Sequence, residues 1–360
     1  MSKRPSEALR LLEAYTQAHG TSGHEDAVRA IFVRELRGRT LQADGLGGVF
    51  ASPSKEKKGP RVVLTAHMDE IGFLVQAVTP DGFLRLTPVG GWPDGVLAAQ
   101  RLRIWSRSAQ KEFIGIVAAL PPHQGGAQAA SADKVLVDIG ARSAESVARL
   151  GIRPGDPVVP EGPFTALAEP GLYSAKAFDN RVGMAALTLA THELDASATP
   201  CDLLAVATVQ EEVGCRGAVV AARLAKPDVV IVLEGPPADD LPGLAPHGEM
   251  QGALGGGVQV RAYDPTAIMN PRLVDLTLEV AAAKGIPCQL TVRRTGGTDA
   301  RSFQAHDLGV PVIVLGVPAR YIHTHNAVID LADLQACVDL SVALVRRLDA
   351  KTVKSLTQYL

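Results

Sequence analysis

Residues 203–217 read Leu203-Leu204-Ala205-Val206-Ala207-Thr208-Val209-Gln210-Glu211-Glu212-Val213-Gly214-Cys215-Arg216-Gly217. The apolar run that opens this stretch is typical of a buried strand, and the glycines that close it predict a turn. Successive side chains of a strand point to opposite faces, so Glu211 and Glu212 can share one task only where the strand ends. Two carboxylates there need a cation, and a metal ion with a neighbouring general base would use both. The alternative is a solvated pair of glutamates on a loop.

Two other apolar runs lead to side chains that can bind a metal. Residues 61–66 run into His67, and residues 229–233 run into Glu234. In open α/β sheets, reactive groups collect at the carboxyl ends of the strands, where both side chains are predicted to lie. Asp69 is placed to accept a hydrogen bond from the second ring nitrogen of His67, which would fix the tautomer of a metal-bound imidazole. A purely structural histidine is the alternative for His67.

Two sequence features resemble helix starts as much as functional sites. Asp179 precedes a helical pattern over residues 182–194 and could be a simple N-cap. Ser22 and Glu25 have capping-box spacing, which predicts that a helix begins there. His24, between them, is therefore interpreted as an ordinary residue at a helix start rather than a ligand.

Further candidates lie towards the C-terminus. A strand predicted at Val312–Gly316 leads to His323 and His325, and either histidine could be a ligand. Upstream, a glycine-rich turn at residues 294–300 could bind a phosphate, although it lacks the flanking fingerprint of such sites.

Residues 73–165 differ in character from the rest of the chain. Short apolar or alternating runs recur there, separated by turn signals, and they predict a β-rich insertion that forms a small barrel or sandwich. The surrounding α/β domain is then discontinuous and comprises residues 1–72 and 166–360. Within the insertion, residues 121–128 predict a long loop that could be a gate or a linker.

The composition excludes several classes of protein. The 360 residues are 46% hydrophobic and 21% charged, with a formal net charge of -2. No basic excess indicates nucleic acid, and no apolar stretch or polybasic run indicates a membrane. The four cysteines are scattered without metal-binding spacing, and the N-terminus lacks a signal-type apolar core, so a cytoplasmic location is expected.

Taken together, the motifs resemble those of the M42 family of metallo-aminopeptidases, which includes the tetrahedral aminopeptidases and the FrvX-like proteins. The resemblance implies an α/β fold in which a three-layer, mixed-sheet dinuclear metallopeptidase domain carries an inserted small β-barrel-like domain. It also implies a homo-oligomer, commonly a dodecamer, with the insertion in its interface. The matching segments occur in the family's order and are Ala66–Gly72, Ala177–Arg181, Gln210–Gly214, Gly296–Ala300 and Arg320–His323.

The resemblance implies two divalent metal ions in each subunit. His67, Asp179 and Glu234 would hold one ion, while Asp179, Glu212 and His323 would hold the other. Asp179 would then be a bridging ligand rather than only a helix cap. Nitrogen and oxygen ligands without a thiolate suit Zn or Co, with Mn also possible.

The remaining roles implied by the resemblance concern proton transfer. Glu211 would be the general base that takes a proton from the attacking water and gives it to the leaving amine. Asp69 would orient His67. The implied reaction is hydrolysis of the N-terminal residue from short peptides.

Two departures from the family pattern affect the site. Glu234 stands where many members carry aspartate. His323 is followed by Thr324-His325-Asn326 instead of Ser-Pro and an acidic residue, which makes His325 a rival ligand.

Other functions are compatible with parts of the pattern. A related metal-dependent amidase or deacylase, or a carboxypeptidase-like hydrolase, could use the same metal pair. A glycoside hydrolase would use two opposed carboxyls and usually aromatic sugar platforms, but aromatic residues make up only 4% of the chain. A non-catalytic assembly protein on the same fold is a further alternative.

Overall fold

The computed structural model describes residues 3–55, 58–121, 123, 131–243 and 250–360, with side chains from residue 6 onward. Of the loop predicted at residues 121–128, only residues 121 and 123 are described, so the gate or linker prediction lies outside the described residues. The α-helices in the described part are α1 (Lys3–Gln17), α2 (Asp26–Glu35), α3 (Ala144–Arg149), α4 (Phe178–Asp195), α5 (Arg216–Ala225), α6 (Pro271–Lys284), α7 (Ala300–Gln304), α8 (Leu331–Val345) and α9 (Ala350–Leu356).

The largest sheet is mixed and has nine strands among the described residues. Their order is β1-β2-β12-β3-β13-β17-β14-β15, with β16 paired to β14. The bounds are β1 (Thr40–Ala43), β2 (Val49–Ser52), β3 (Arg61–His67), β12 (Asp202–Thr208), β13 (Val229–Glu234), β14 (Val258–Asp264), β15 (Ala267–Ile268), β16 (Cys288–Val292) and β17 (Val312–Gly316).

The centre of this sheet is parallel, and that arrangement creates the site. Strands β12, β3, β13 and β17 run in the same direction, so their carboxyl ends lie along one edge. Thr208 pairs with His67, and Glu234 pairs with Gly316, which shows that the strands end nearly level. The strands predicted before His67, Glu211 and Glu234 are therefore confirmed. Their near-continuous burial is typical of parallel strands that are covered on both faces.

Helices cover the sheet and bury its core. Helix α4 lies on β3 and β13 and packs against α1 and α8, while α5 and α7 pack together against β12, β13 and β17. Every residue of β13 is buried, because helices α4 and α7 both contact it. The predicted three-layer α/β class with a mixed sheet is confirmed.

A closed barrel of six strands interrupts this domain, in the strand order β4-β5-β8-β7-β6-β9. It has its own apolar core, separate from the core of the main sheet. The predicted barrel-like insertion is therefore confirmed as a feature of the fold, while the boundaries at residues 73 and 165 stay a prediction. The strands are β4 (Gly72–Val78), β5 (Leu84–Val89), β6 (Arg101–Ser106), β7 (Lys111–Val117), β8 (Leu136–Asp138) and β9 (Pro157–Pro160).

A small four-stranded sheet carries the connections that return to the main sheet. Its order is β10-β11-β19-β18, with β10 (Thr165–Ala166), β11 (Leu172–Ala175), β18 (Ala319–Arg320) and β19 (Ala327–Asp330). Strand β11 leads to Asp179, and β18 leads to His323. Among the described residues, no helix combines the length and the apolar character that crossing a bilayer requires.

Candidate metal centre

The level ends of the parallel strands bring the predicted ligands together. His67 is the last residue of β3, Glu234 is the last residue of β13, and Glu212 follows the end of β12 by four residues. His67 and Glu234 are buried, at 2% and 5% exposure. Such burial of ionisable groups requires a compensating partner.

Asp179 lies between the two predicted metal positions. Its Oδ1 is 3.4 Å from Nε2 of His67, and its Oδ2 is 3.2 Å from Nε2 of His323. The helix cap is Ala177, which has a left-handed backbone, and the φ/ψ of Asp179 is not helical. The interpretation of Asp179 as a simple N-cap is therefore wrong, and its two oxygens face two different histidines.

Two groups of possible ligands share Asp179. His67, Asp179 and Glu234 place ligand atoms within 4.8 Å of one another, and so do Asp179, Glu212 and His323. Oε1 of Glu212 and Oε1 of Glu234 are buried without a hydrogen-bond partner in the described part of the chain. Unpartnered buried carboxylate oxygens fit metal coordination, and the nitrogen and oxygen donors suit Zn, Co or Mn.

The electrostatics of the cluster favour added positive charge. Burial raises the pKa of Glu234 to about 8, and the charge of Asp179 adds to this effect. Burial opposes protonation of His323, but the carboxylates of Asp179 and Glu212, at 3.2 Å and 3.4 Å from its Nε2, raise its pKa to about 11. Burial is the main cause of the shift in Glu234, whereas the neighbouring carboxylates outweigh burial at His323. Divalent cations would supply the missing positive charge.

Glu211 belongs to neither of these two ligand groups. Its Oε2 lies 3.9 Å from Nε2 of His67, and its Oε1 accepts a hydrogen bond from Sγ of Cys215 at 3.4 Å. Burial raises the pKa of Glu211 well above its ordinary value. A carboxylate beside the ligands but outside them, with an increased proton affinity, has the properties of a general base.

Asp69 supports both His67 and the turn that contains Glu211. Nδ1 of His67 lies 3.1 Å from the carbonyl oxygen of Asp69 and 3.4 Å from its Oδ1. The Asp69 carboxylate also accepts hydrogen bonds from the backbone N–H groups of Glu211, at 2.9 Å, and Glu212, at 3.1 Å. The geometry of Asp69 therefore fits the role of orienting His67. Asp69 also fixes the backbone of the turn, a role that the sequence did not predict.

Glu25 holds the same turn and was missed by sequence reasoning. Its Oε1 accepts from the backbone N–H of Gln210 at 3.2 Å and from that of Gly23 at 2.8 Å. Helix α2 begins at Asp26, and Glu25 makes no side-chain cap. Ser22 donates to Oδ2 of Asp69 at 2.6 Å. The capping-box interpretation of Ser22 and Glu25 is therefore wrong, because both side chains are used by the site.

The barrel also contributes to the centre. Nδ1 of His323 donates to the carbonyl of Gly91, at 2.6 Å, which leaves Nε2 free to face Asp179 and Glu212. The adjacent Trp92 donates from Nε1 to the carbonyl of Gly72 at 3.0 Å and stacks on a phenylalanine of the barrel. Residues 90–92 lie within the predicted insertion, and their part in the centre could not be predicted because a backbone acceptor carries no sequence signature.

His325 is separate from the two ligand groups. It is buried at 2% exposure, and its Nε2 lies 3.1 Å from the carbonyl of Arg101 on strand β6. The groups that could hold a metal among the described residues do not include it. Of the two candidate histidines, the geometry thus favours His323.

A cavity of about 530 Å³ opens onto the centre. The glycine-rich turn forms part of its wall and supplies Asp299, which is buried and accepts a hydrogen bond from Oγ1 of Thr208 at 2.5 Å. Asp299 groups with Glu211 and Cys215. The cavity is therefore continuous with Glu211 and with both groups of possible ligands, as a substrate site requires.

Comparison with known proteins identifies a family that matches most of the chain. The family described as M42 glutamyl aminopeptidase matches residues 47–340. The glutamyl aminopeptidase of Lactococcus lactis is 32% identical over 356 residues, which cover 97% of this chain and 98% of that protein.

Solved structures agree with this family. The TET aminopeptidase of a marine sediment Thaumarchaeota archaeon has a TM-score of 0.93 and 34% identity, covering 98% of this chain and 100% of that one. The TET1 peptidase of Pyrococcus horikoshii, which can assemble into a tetrahedron or a large octahedral shell, has a TM-score of 0.82 and 29% identity. That comparison covers 94% of this chain and 99% of the other.

Proposed function

The chain belongs to the M42 glutamyl aminopeptidase family, and we propose that it removes the N-terminal residue from short peptides at a dinuclear metal centre. The observation that carries this proposal is the pair of ligand groups sharing Asp179, with Glu211 beside them but outside both. His67 and Glu234 would complete one metal position, and Glu212 and His323 the other. Zn or Co suits these donors best, and Mn is also compatible.

The residues of the chain can perform the proton transfers that hydrolysis needs. Two bound divalent ions would lower the pKa of water and polarise the scissile carbonyl. Glu211 takes a proton from the attacking water and returns it to the amine that leaves. Asp69 fixes the ring of His67 and holds the backbone on which Glu211 stands. No side chain of the protein has to act as a nucleophile.

The cavity favours acidic N-terminal residues over basic ones. Arg261, Arg293 and Arg301 line it. Arg261 is paired with Asp264 at 3.0 Å and Arg293 with Asp239 at 2.5 Å, whereas Arg301 has no carboxylate partner in the described part of the chain. One guanidinium group therefore remains for the substrate. The ratio of kcat/KM for Glu-peptides to that for Lys-peptides tests this preference, which Arg301→Gln is expected to weaken.

We further propose a homo-oligomer, most simply a dodecamer. The TET1 relative can form a tetrahedron or an octahedral shell, and the structural similarity to it extends over nearly the whole chain. Light scattering of the purified protein tests this proposal, and a monomer at all concentrations would contradict it.

Hydrolysis is tested by three measurements on one preparation. Metal analysis gives the number and identity of bound ions, while product analysis follows a free peptide and its N-acetylated form. We expect two metals per subunit and release of the first residue from the free peptide alone. Release of acetate would indicate a deacylase, and release of the last residue a carboxypeptidase. Glu211→Gln should retain the metals and lose at least about a hundredfold in kcat; full activity would remove Glu211 from the mechanism.

A further inference from the structure

A second cavity, of about 580 Å³, lies between the N-terminal segment and the barrel. Residues 17–27 form one wall, and strands β6, β7 and β9 with their loops form the other. None of the possible metal ligands lines it. Its volume is in the range of small-molecule sites, which is roughly 300–1,000 Å³.

The charges in this cavity do not balance. Arg103 is neutralised by Glu112 at 2.7 Å, and Asp26 is paired with Arg29. Arg107 and Arg153 also line the cavity, and neither has a carboxylate partner for its guanidinium group among the described residues. Both side chains are exposed, so two solvated positive charges border the same space without a carboxylate partner.

A buried carboxylate holds these two arginines near each other. Asp156 is fully buried, and its Oδ1 accepts from the backbone N–H of Arg107 at 3.3 Å. Its Oδ2 accepts from the backbone N–H of Arg153 at 3.1 Å. The main-chain positions of both arginines are thus fixed before any ligand arrives, which reduces the entropy lost on binding.

His19 and Trp105 contribute ring side chains to the cavity wall, which also includes His24. Nε2 of His19 is buried without a hydrogen-bond partner among the described residues, although His19 lines the cavity. Burial lowers the pKa of His19 to about 3, so the ring is neutral and can donate one hydrogen bond. Trp105 adds a half-buried indole surface. An unpaired buried nitrogen calls for a ligand atom or an ordered water.

We propose that this cavity binds a small phosphate ester with a flat organic group. Arg107 and Arg153 would hold the phosphate, because guanidinium groups match phosphate oxygens bidentately. A dianion would neutralise both arginines, whereas a carboxylate would leave one unpaired. His19 would donate to the ester, and Trp105 would pack against its organic part. The volume exceeds that needed by inorganic phosphate alone.

Calorimetric titration of the metal-loaded protein with phenyl phosphate tests the proposal. We expect saturable binding, with benzoate and inorganic phosphate each at least about tenfold weaker. Arg107→Gln and Arg153→Gln should each weaken phenyl phosphate at least about tenfold, since each removes a charge-assisted interaction. Arg85→Gln is the matched control, because Arg85 is an exposed barrel arginine outside the cavity.

Urea unfolding shows whether the three variants are folded, and none of these arginines lines the metal centre. Equal binding by Arg107→Gln, Arg153→Gln and Arg85→Gln would overturn the proposal and place the ligand elsewhere. If chelation of the metals abolishes the binding of phenyl phosphate and neither arginine substitution changes it, the ligand binds at the metal centre. Benzoate binding as tight as phenyl phosphate would overturn the dianion assignment. Failure to hydrolyse peptides would leave this test intact.

Discussion

Replacement of Glu25 by alanine is expected to impair catalysis although Glu25 belongs to neither ligand group. The carboxylate of Glu25 accepts from the backbone N–H groups of Gly23 and Gln210, and Asp69 accepts from those of Glu211 and Glu212. Three consecutive N–H groups of the turn are therefore held by two buried carboxylates. Removal of Glu25 releases the first of them, next to the proposed base.

The effect of Glu25→Ala on stability has two parts, the loss of a hydrogen-bond acceptor and a change in proton binding. Gly23 is exposed and its N–H can donate to water, so only the half-buried N–H of Gln210 is left without an acceptor, at a cost of roughly 1–3 kcal/mol. Burial raises the pKa of Glu25 to about 7 from its ordinary value of 4.5, so the native state binds the proton more tightly than the unfolded state. The contribution of Glu25 to stability is therefore fully present below pH 4.5 and falls as the pH rises to 7, by about 3 kcal/mol. Glu25→Ala should destabilise the protein more at pH 5 than at pH 8.

The assay compares wild type, Glu25→Ala and Glu25→Gln. Glutamine keeps an acceptor oxygen and removes the charge, so we expect it to restore most of the lost kcat. For alanine, a displaced turn should lower kcat by roughly 10- to 100-fold with little change in KM. Metal content and urea unfolding are measured at pH 5 and pH 8. A variant that keeps its metals and its fold but loses kcat has a misplaced Glu211, whereas loss of all three indicates global unfolding. Wild-type kcat in Glu25→Ala, or equal impairment in both variants, would refute the reasoning.

Three further predictions concern polar side chains outside the two ligand groups. Lys176→Met should destabilise the protein by about 1–3 kcal/mol in urea unfolding, because the buried carboxylate of Glu70 loses Lys176 at 2.7 Å but keeps Arg181 at 3.0 Å. Trp92→Phe should lose about 1 kcal/mol of stability and lower kcat several-fold, because it removes the hydrogen bond to Gly72. That bond fixes the loop whose Gly91 carbonyl accepts from His323. An unchanged kcat would show that this loop does not affect catalysis. Burial lowers the pKa of His325 to about 4, so wild type should lose about 3 kcal/mol more than His325→Gln between pH 6.5 and pH 4 in thermal or urea unfolding, and parallel pH profiles would contradict this.

Much of the fold could be predicted from local patterns. The apolar runs before His67 and Glu234 give buried parallel strands, because such strands read as continuous apolar segments. Turn signals between short runs gave the β-rich insertion. The extent of each sheet and the closure of the barrel could not be predicted, since pairing between distant strands leaves no local signature.

The candidate site divides in the same way. Side chains at strand ends, such as His67 and Glu234, were visible because position and residue type agree. Glu25 was misassigned because the spacing of Ser22 and Glu25 satisfies a local rule, while their true partners, Asp69 and Gln210, lie far along the chain. Tertiary contacts override a local motif when a buried donor would otherwise lack an acceptor.

The adjacency of Glu211 and Glu212 requires a rigid turn, and the structure shows what supplies it. Neighbouring residues can serve as base and ligand only if the backbone between them keeps one conformation, and Gln210 adopts a left-handed one. The segment that holds Gln210 through Glu25 also borders the second cavity, where His24 and Asp26 line the wall on either side of Glu25. A ligand in that cavity would therefore touch the residues next to the support of the turn. The placement of Glu211, the proposed base, thus depends on contacts outside the candidate metal centre.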